Sequence, residues 1–233
     1  MRRLIGLRPL VLMLLVAASL PAFGAAAAPA RQQAASSDPV GWRPCAYLPA
    51  PPDAVWGPSK NVGTPPAQAR LAPGDIMTLV TNRGTIKIKM LTDAAPCTVN
   101  SFRFLASKKY FDGTHCHRLT TSGIFVLQCG DPFATGSGHP GYEYQDENLV
   151  GATYKAGVVA MANAGPSTNG SQFFINYKNS SLLPNYTPFG VVLGNGLDII
   201  RKVAEYGSDN SNGSGDGHPK RSVVFKTVRL TNA

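Results

Sequence analysis

Beyond residue 75 apolar and polar positions alternate in short bursts. IMTLVTNRGTIKIKML reads as two strands around Asn82-Arg83-Gly84, a hairpin turn signal. In the second run Ile86, Ile88 and Met90 alternate with Lys87 and Lys89, so one face is buried and the other wet. AAPCTVNSFRFLASKKY then changes period. Val99, Phe102, Phe104 and Leu105 form a helical stripe, Pro96 suits the first turn and lysines close the end. Strand-like runs follow at HCHRL, IFVLQC, GVVAMA, SQFFINY and TPFGVVLG, with the glycine-rich ATGSGHPGY among them. GNGLDIIRKVAEY predicts a second helix with Leu197, Ile200 and Val203 inward. GSDNSNGSGDGHPK reads as a flexible loop and SVVFKTVRLTNA as a last strand. Many short strands with two helices predict a closed or nearly closed antiparallel barrel capped by helices.

The first third of the chain follows other rules. Arg2, Arg3 and Arg8 precede an apolar run from Leu10 to Leu20, and the small residues of PAFGAAAAPA come next: the layout of a secretory signal peptide over residues 1–28. An uncleaved membrane anchor is the competing reading, but the apolar run is short for a span. Residues 29–73 are rich in Ala and Pro without periodicity and read as an arm or linker. Trp42, Tyr47 and Trp56 are out of place in a pure tether, so part of the arm is a candidate for packing on the domain at 74–233, through Cys45.

Composition narrows the function classes. Hydrophobic content of 43% against 15% charged describes globular material, and 24 glycines with 19 prolines favour loops and strands over a helical bundle. The formal charge of +9 falls to +6 without the three leader arginines. The excess is dispersed over residues such as Lys87, Lys89, Lys108 and Lys109, so a solvated surface fits and nucleic-acid binding has no patch or motif behind it. Four cysteines suit an oxidising compartment. Three pairings are open. The hairpin expected between CHRLT and IFVLQC favours Cys116 with Cys129, leaving Cys45 with Cys97; four buried thiols is the alternative.

His115 and His117, alternating on a strand, suggest a metal site completed by His139 or His218, but no third ligand sits at a convincing spacing. No Gly-x-Ser-x-Gly elbow, paired acid–base carboxylates or phosphate loop is present. Asp146-Glu147 sit in a polar loop and Asp131 precedes Pro132. What remains is Arg118 among apolar residues, Gln128 on the following run, and AMANAGPSTNGSQFFI. There Gln172 and Phe174 share one strand face while Phe173 and Ile175 take the other.

FDGTHCHRLTTSGIFVLQCGD and GVVAMANAGPSTNGSQFFI resemble the cyclophilin family of peptidyl-prolyl cis–trans isomerases, in the manner of its exported bacterial members, and TPFGVVLGNGLDIIRKV is similar to the family's next strand and helix. The resemblance runs from about Asp75 to Leu230. It implies an eight-stranded antiparallel closed barrel capped by two α-helices. It implies Arg118 as the catalytic arginine, with Phe125, Gln128, Ala162, Asn163, Gln172 and Phe174 lining a substrate groove. His117, Leu182, Leu183 and Tyr186 would stand close by, and Thr135 to Gly138 would flank a second, shallower pocket. It implies no cofactor and no metal, proline-containing peptides and unfolded exported proteins as partners, and a secreted or envelope location. A monomer is expected, with membrane contact only through an uncleaved leader. Ser181 stands near the place of a common Trp, so cyclosporin binding is expected to be weak. Val126 replaces a usual Met, and the connection Leu119 to Ile124 is two residues longer than in the common eukaryotic form. A peptide-binding or chaperone module with little catalysis is the alternative; an exported metal hydrolase using His115 and His117 is the third.

Overall fold

The computed structural model describes residues 41–51, 57–71 and 73–231. The leader proposed at 1–28 lies outside the described residues. In chain order the elements are β1 (Trp42–Pro44), β2 (Leu48–Pro49), β3 (Gln68–Arg70), β4 (Ile76–Thr81), β5 (Gly84–Met90), α1 (Pro96–Ser107), β6 (Arg118–Thr120), β7 (Val126–Cys129) and β8 (Tyr142–Glu143). Then come β9 (Val158–Met161), β10 (Phe173–Asn176), β11 (Pro188–Leu193), α2 (Gly196–Ala204), β12 (Asp216–Gly217) and β13 (Phe225–Thr231).

One sheet of nine strands dominates, in the order β12-β6-β7-β10-β9-β11-β5-β4-β13, every neighbour antiparallel. The expected closed eight-stranded barrel is therefore corrected to a curled nine-stranded half-barrel. The edge strands β12 and β13 do not pair with each other. The residues before β6 and β13 meet instead: His115 bridges Val224, and backbone bonds run from Gly113 N–H to Phe225 O, Phe225 N–H to Thr114 O and Cys116 N–H to Val223 O. Short contacts of this kind still satisfy edge groups that a sheet would otherwise leave open.

The β4–β5 hairpin turns at Asn82-Arg83 as the pattern predicts. Thr81 Oγ1 accepts from Arg83 N–H at 2.9 Å and donates to Gly84 O at 2.7 Å, and Gly84 takes φ +132. Inside the curl, aromatic rings fill the core. Phe102 of α1 stands 4.5 Å from Phe189 and 5.5 Å from Phe173, ring centre to ring centre. α2 buries Ile200 and Val203, with Leu197 packed beside them.

Helix α1 starts on Pro96, and its N-cap residue Ala95 offers no side-chain cap. Glu147 supplies one from across the fold. Its carboxylate accepts the N–H of Cys97 at 3.0 Å and of Thr98 at 2.8 Å, plus the Thr98 hydroxyl. A carboxylate at a helix N-terminus answers both the orphan N–H groups and the dipole. Its own burial nonetheless pulls the pKa up, above the usual carboxylate range.

The described part of the Ala/Pro arm lies against the domain. β1 pairs with β3 and β2 with β8, and Cys45 is joined to Cys97 of α1. Tyr47 packs edge-on to Tyr142 and Tyr144, and its hydroxyl donates to Cys97 O at 2.8 Å. Residues 57–60 run beside the loop 137–139, with Gly57 N–H on Ser137 O and Lys60 N–H on His139 O. The second disulfide joins Cys116 to Cys129, and no described cysteine is free. Among the described residues no helix is long and apolar enough to cross a membrane.

The Cys45–Cys97 link closes a separation of 52 residues, against 13 for Cys116–Cys129. Loop-closure entropy makes the longer loop worth about 4 kcal/mol and the shorter about 3 kcal/mol at most. Cys45→Ser with Cys97→Ser should lower stability in denaturant melts by a few kcal/mol, with the α1 end and the arm losing amide protection first. Unchanged melting and protection would show that the arm is held by other contacts.

Candidate functional site

Arg118 opens β6 at the point where that strand pairs with β7, its Cα register partner being Gln128. β10 lies on the other side of β7 with Phe174 opposite Gln128. Strand alternation therefore brings Arg118, Gln128 and Phe174 to one face. The other face buries Leu119, Leu127, Phe173 and Ile175 in the main core.

On that face is a pocket of about 140 Å³. Its apolar walls are Phe174, Val126, Ile124, Leu182 and Ala162; Arg118, Gln128, Asn163 and Tyr186 edge it. Phe174 is met edge-on by Tyr186 at 5.5 Å and at a tilt by Tyr154 at 6.1 Å, ring centre to ring centre. A contiguous hollow of about 130 Å³ shares Gln128, Ala162 and Asn163 and adds Gly136, Ser137, Ala164 and Gln172.

A chain of amides ties the two hollows. Arg118 Nη1 donates to Gln128 Oε1 at 3.2 Å, and Gln128 Nε2 donates to Gln172 Oε1 at 2.9 Å. Gln172 Nε2 then donates to the carbonyls of Gly136 and Gly138, both at 3.0 Å. Those carbonyls are fixed by Asp131, which is fully buried. Its carboxylate accepts the N–H of Phe133, Gly136 and Gly138 and the Thr135 hydroxyl. Burial pushes the Asp131 pKa up, but the three N–H donors and His117 outweigh it and leave it below the ordinary range. At Gly138 an added Cβ would sit 2.0 Å from Asp131 Oδ1, so only glycine lets the loop close on the carboxylate.

On the far side of Arg118, Asp216 of β12 grips the guanidinium. Nε donates to its two oxygens at 2.9 and 3.2 Å and Nη2 donates at 2.6 Å. The pair raises the Arg118 pKa and lowers that of Asp216, through the hydrogen bonds first in each case. Both side chains are only partly exposed, 33% and 26%, so this pair is better shielded than a surface ion pair.

Of the residues singled out from sequence, the structure gathers Arg118, Gln128, Ala162, Asn163, Phe174, Leu182 and Tyr186 around the first pocket, and Gln172 in the second. Three others fall elsewhere. Phe125 follows the alternation of β7 to the opposite side from Val126, where its ring meets Tyr177 at 6.0 Å. Leu183 is 73% exposed and lines neither hollow. His117 is buried beneath the loop of Gly136 and lines neither hollow. The alternation argument for His115 and His117 also fails, since both precede β6; His115 is exposed and His117 is not. Among the described residues no three of His, Cys, Asp and Glu gather to hold a metal. Asp216 was missed altogether: a glycine-rich run predicts turns, and nothing local marks a long-range ion pair. Ile124 and Val126 also entered the pocket without being expected there.

A curled antiparallel sheet with two helices and an arginine-edged apolar pocket places the protein in the cyclophilin-like class of folds. Residues 76–230 match the family model described as cyclophilin type peptidyl-prolyl cis-trans isomerase/CLD, and the chain belongs to that family. It is 42% identical over 204 residues to the probable peptidyl-prolyl cis-trans isomerase B of Mycobacterium tuberculosis, covering 80% of this chain and 63% of that protein. It thus spans about 63% of that relative's length. The peptidyl-prolyl cis-trans isomerase B of Streptomyces anulatus is 37% identical over 169 residues, 65% of this chain and 93% of the relative. A cyclophilin type peptidyl-prolyl cis-trans isomerase from Cryptosporidium parvum, crystallised in the presence of the dipeptide Ala-Pro, superposes with a TM-score of 0.59 at 28% identity. It covers 68% of this chain and 99% of that one.

His117 yields a pH prediction. Its ring nitrogens meet no partner in hydrogen-bond geometry, with the Gln172 amide close by. Burial, opposed by Asp131 and reinforced by His218 and Arg118, lowers its pKa from 6.5 to about 4. Between those values the unfolded chain binds a proton that the folded chain does not, so stability falls as pH drops through that window. Chemical denaturation should show the His117 contribution intact above about pH 7 and lower by about 3 kcal/mol near pH 4. His117→Gln should remove that part of the slope; an identical slope in the variant would contradict the assignment.

Proposed function

We propose that this chain accelerates cis–trans rotation about X-Pro bonds in exported, proline-containing polypeptides. Family membership and the relatives' names support the reaction. The Ala-Pro dipeptide present with the crystallised Cryptosporidium relative supports the substrate class. The observation that carries the reading is geometric: a guanidinium fixed at the edge of an apolar pocket the size of a small ring.

Rotation about an X-Pro bond crosses a barrier of about 18–20 kcal/mol, because the amide is conjugated. The prolyl nitrogen regains its lone pair as the bond twists. A donor that meets the lone pair only then binds the twisted form better than either planar one, which is what catalysis requires. Arg118 has that character: charged at every accessible pH, rigid and held from both sides. Phe174, Leu182 and Val126 would hold the pyrrolidine ring, while Gln172 and the loop of Gly136 would meet the chain that precedes it. No nucleophile, metal or proton exchange with solvent is needed.

Location follows by the same route. The basic, apolar and small-residue blocks of 1–28 and the two disulfides support an extracytoplasmic protein that helps exported clients fold. Residues 74–233 act as the isomerase domain, with the disulfide-joined arm as its extension. Ser181 stands exposed near the place of a common Trp, and cyclosporin is accordingly a weak ligand.

Arg118→Ala should cut the catalysed rate on an X-Pro tetrapeptide by on the order of a hundredfold, with peptide-induced shifts at Phe174 and Tyr186 retained. An unchanged rate would remove Arg118 from the mechanism. Loss of both rate and peptide shifts would make Arg118 a substrate-binding group, and a wild-type chain that shows the peptide shifts without a catalysed rate would favour a pure binding module.

A further inference from the structure

Two loop segments converge on Arg118. The connection between β6 and β7 turns at Thr121–Gly123, and the loop 207–218 lies across it. Thr121 N–H donates to Gly215 O at 2.7 Å, and an added Cβ on Gly215 would sit 2.9 Å from Ser122 Cβ. Next to that contact β12 pairs with β6, Asp216 opposite Thr120 and Gly217 opposite Leu119. The loop is internally braced. Asp209 Oδ1 accepts from the N–H of Ser211 and His218, Asn210 Oδ1 from Gly215 N–H, and Asn212 Nδ2 donates to Asp216 Oδ1 at 3.2 Å. The segment that reads as flexible in the sequence is thus a built support with a carboxylate at its tip.

We propose that Asp216 is a positioning residue for the isomerisation, clamping Arg118 so that its remaining donors stay at the pocket edge. The clamp is specific in kind. A carboxylate that takes Nε and Nη2 together fixes the plane of the guanidinium as well as its place. Gln128 then holds Nη1 from the other side, so the side chain is gripped on two edges. Without Asp216, one bond at 3.2 Å would have to restrain a side chain with several free torsions. Asp216 is not among the residues lining the pocket, so it acts through Arg118 rather than on substrate. The peptide would be held by Phe174, Leu182 and Gln172 as before. Loss of the clamp should therefore appear in kcat more than in KM.

This inference rests on the isomerase reading, and one set of variants separates the two. Asp216→Asn and Asp216→Glu are made in the full, disulfide-intact chain, in both the wild-type and the Arg118→Ala backgrounds. Exchange NMR on an X-Pro tetrapeptide gives kcat and KM, and the Nε–H resonance of Arg118 reports the clamp directly. Asp216→Asn should lower kcat on the order of tenfold or more with KM within about twofold. It should also move the Arg118 Nε–H signal, and Asp216→Glu should restore part of both. In the Arg118→Ala background the same changes should have no further effect. Unaltered kcat, or an equal loss in both backgrounds, would overturn the positioning role. A wild-type chain without activity would overturn the isomerase reading, while the Nε–H signal would still decide whether Asp216 holds Arg118. Should Asp216→Asn melt early, Asp216→Glu, which keeps the charge and shifts it by one methylene, serves as the deciding comparison.

Discussion

Arg118 cannot give up its proton, so the fold must carry a permanent charge at the edge of an apolar pocket. Much of the site can be understood as the arrangement that makes this tolerable. Asp216 answers the charge from one side and Gln128 takes a donor on the other. Gln128 in turn needs Gln172, Gln172 needs the carbonyls of Gly136 and Gly138, and those need Asp131. Each link satisfies a group that would be costly to leave unpaired in partly dry surroundings. The result is a donor whose direction is set by a network spanning β6, β7, β10, β12 and one glycine-rich loop.

The same logic of mutual support extends to other described segments. The loop of Asp131 to His139 is braced internally by a buried carboxylate and externally by the arm, which lays Gly57 against Ser137 and Lys60 against His139. The arm is anchored in turn by Cys45 on α1, and α1 receives its N-terminal cap from Glu147. A segment that reads as a tether in the sequence here contributes Tyr47 to an aromatic and hydroxyl cluster. Of the two carboxylates that looked idle in the sequence, Glu147 caps α1 and Asp146 holds a loop, accepting from Ser167 N–H and Asn169 Nδ2.

Local signals were legible and long-range ones were not. Asn82-Arg83-Gly84, the period-two run after it, Pro96 before a helical stripe, and the alternation of Gln172 to Ile175 each depend on neighbours within a few residues, and each appears in the structure. The hairpin logic also paired Cys116 with Cys129 correctly. What the sequence hid depends on distant partners. The ion pair of Arg118 and Asp216 spans 98 positions. The strand count rose to nine because β12 is two residues long inside a glycine-rich run, too short for any pattern. Phe125 was named from the family resemblance alone, and its ring stands beside Tyr177, out of the pocket that Val126 lines.

Catalysis itself is the claim on which the other readings rest. Two-dimensional exchange spectroscopy on an Ala-Pro-containing tetrapeptide, with the full chain present in substoichiometric amount, tests it most directly. Uncatalysed exchange takes tens to hundreds of seconds, so the account predicts cis–trans cross-peaks within a sub-second mixing time that vanish when the protein is removed. Peptide shifts marking occupancy of the Phe174 pocket, with no cross-peaks above the peptide alone, would contradict it.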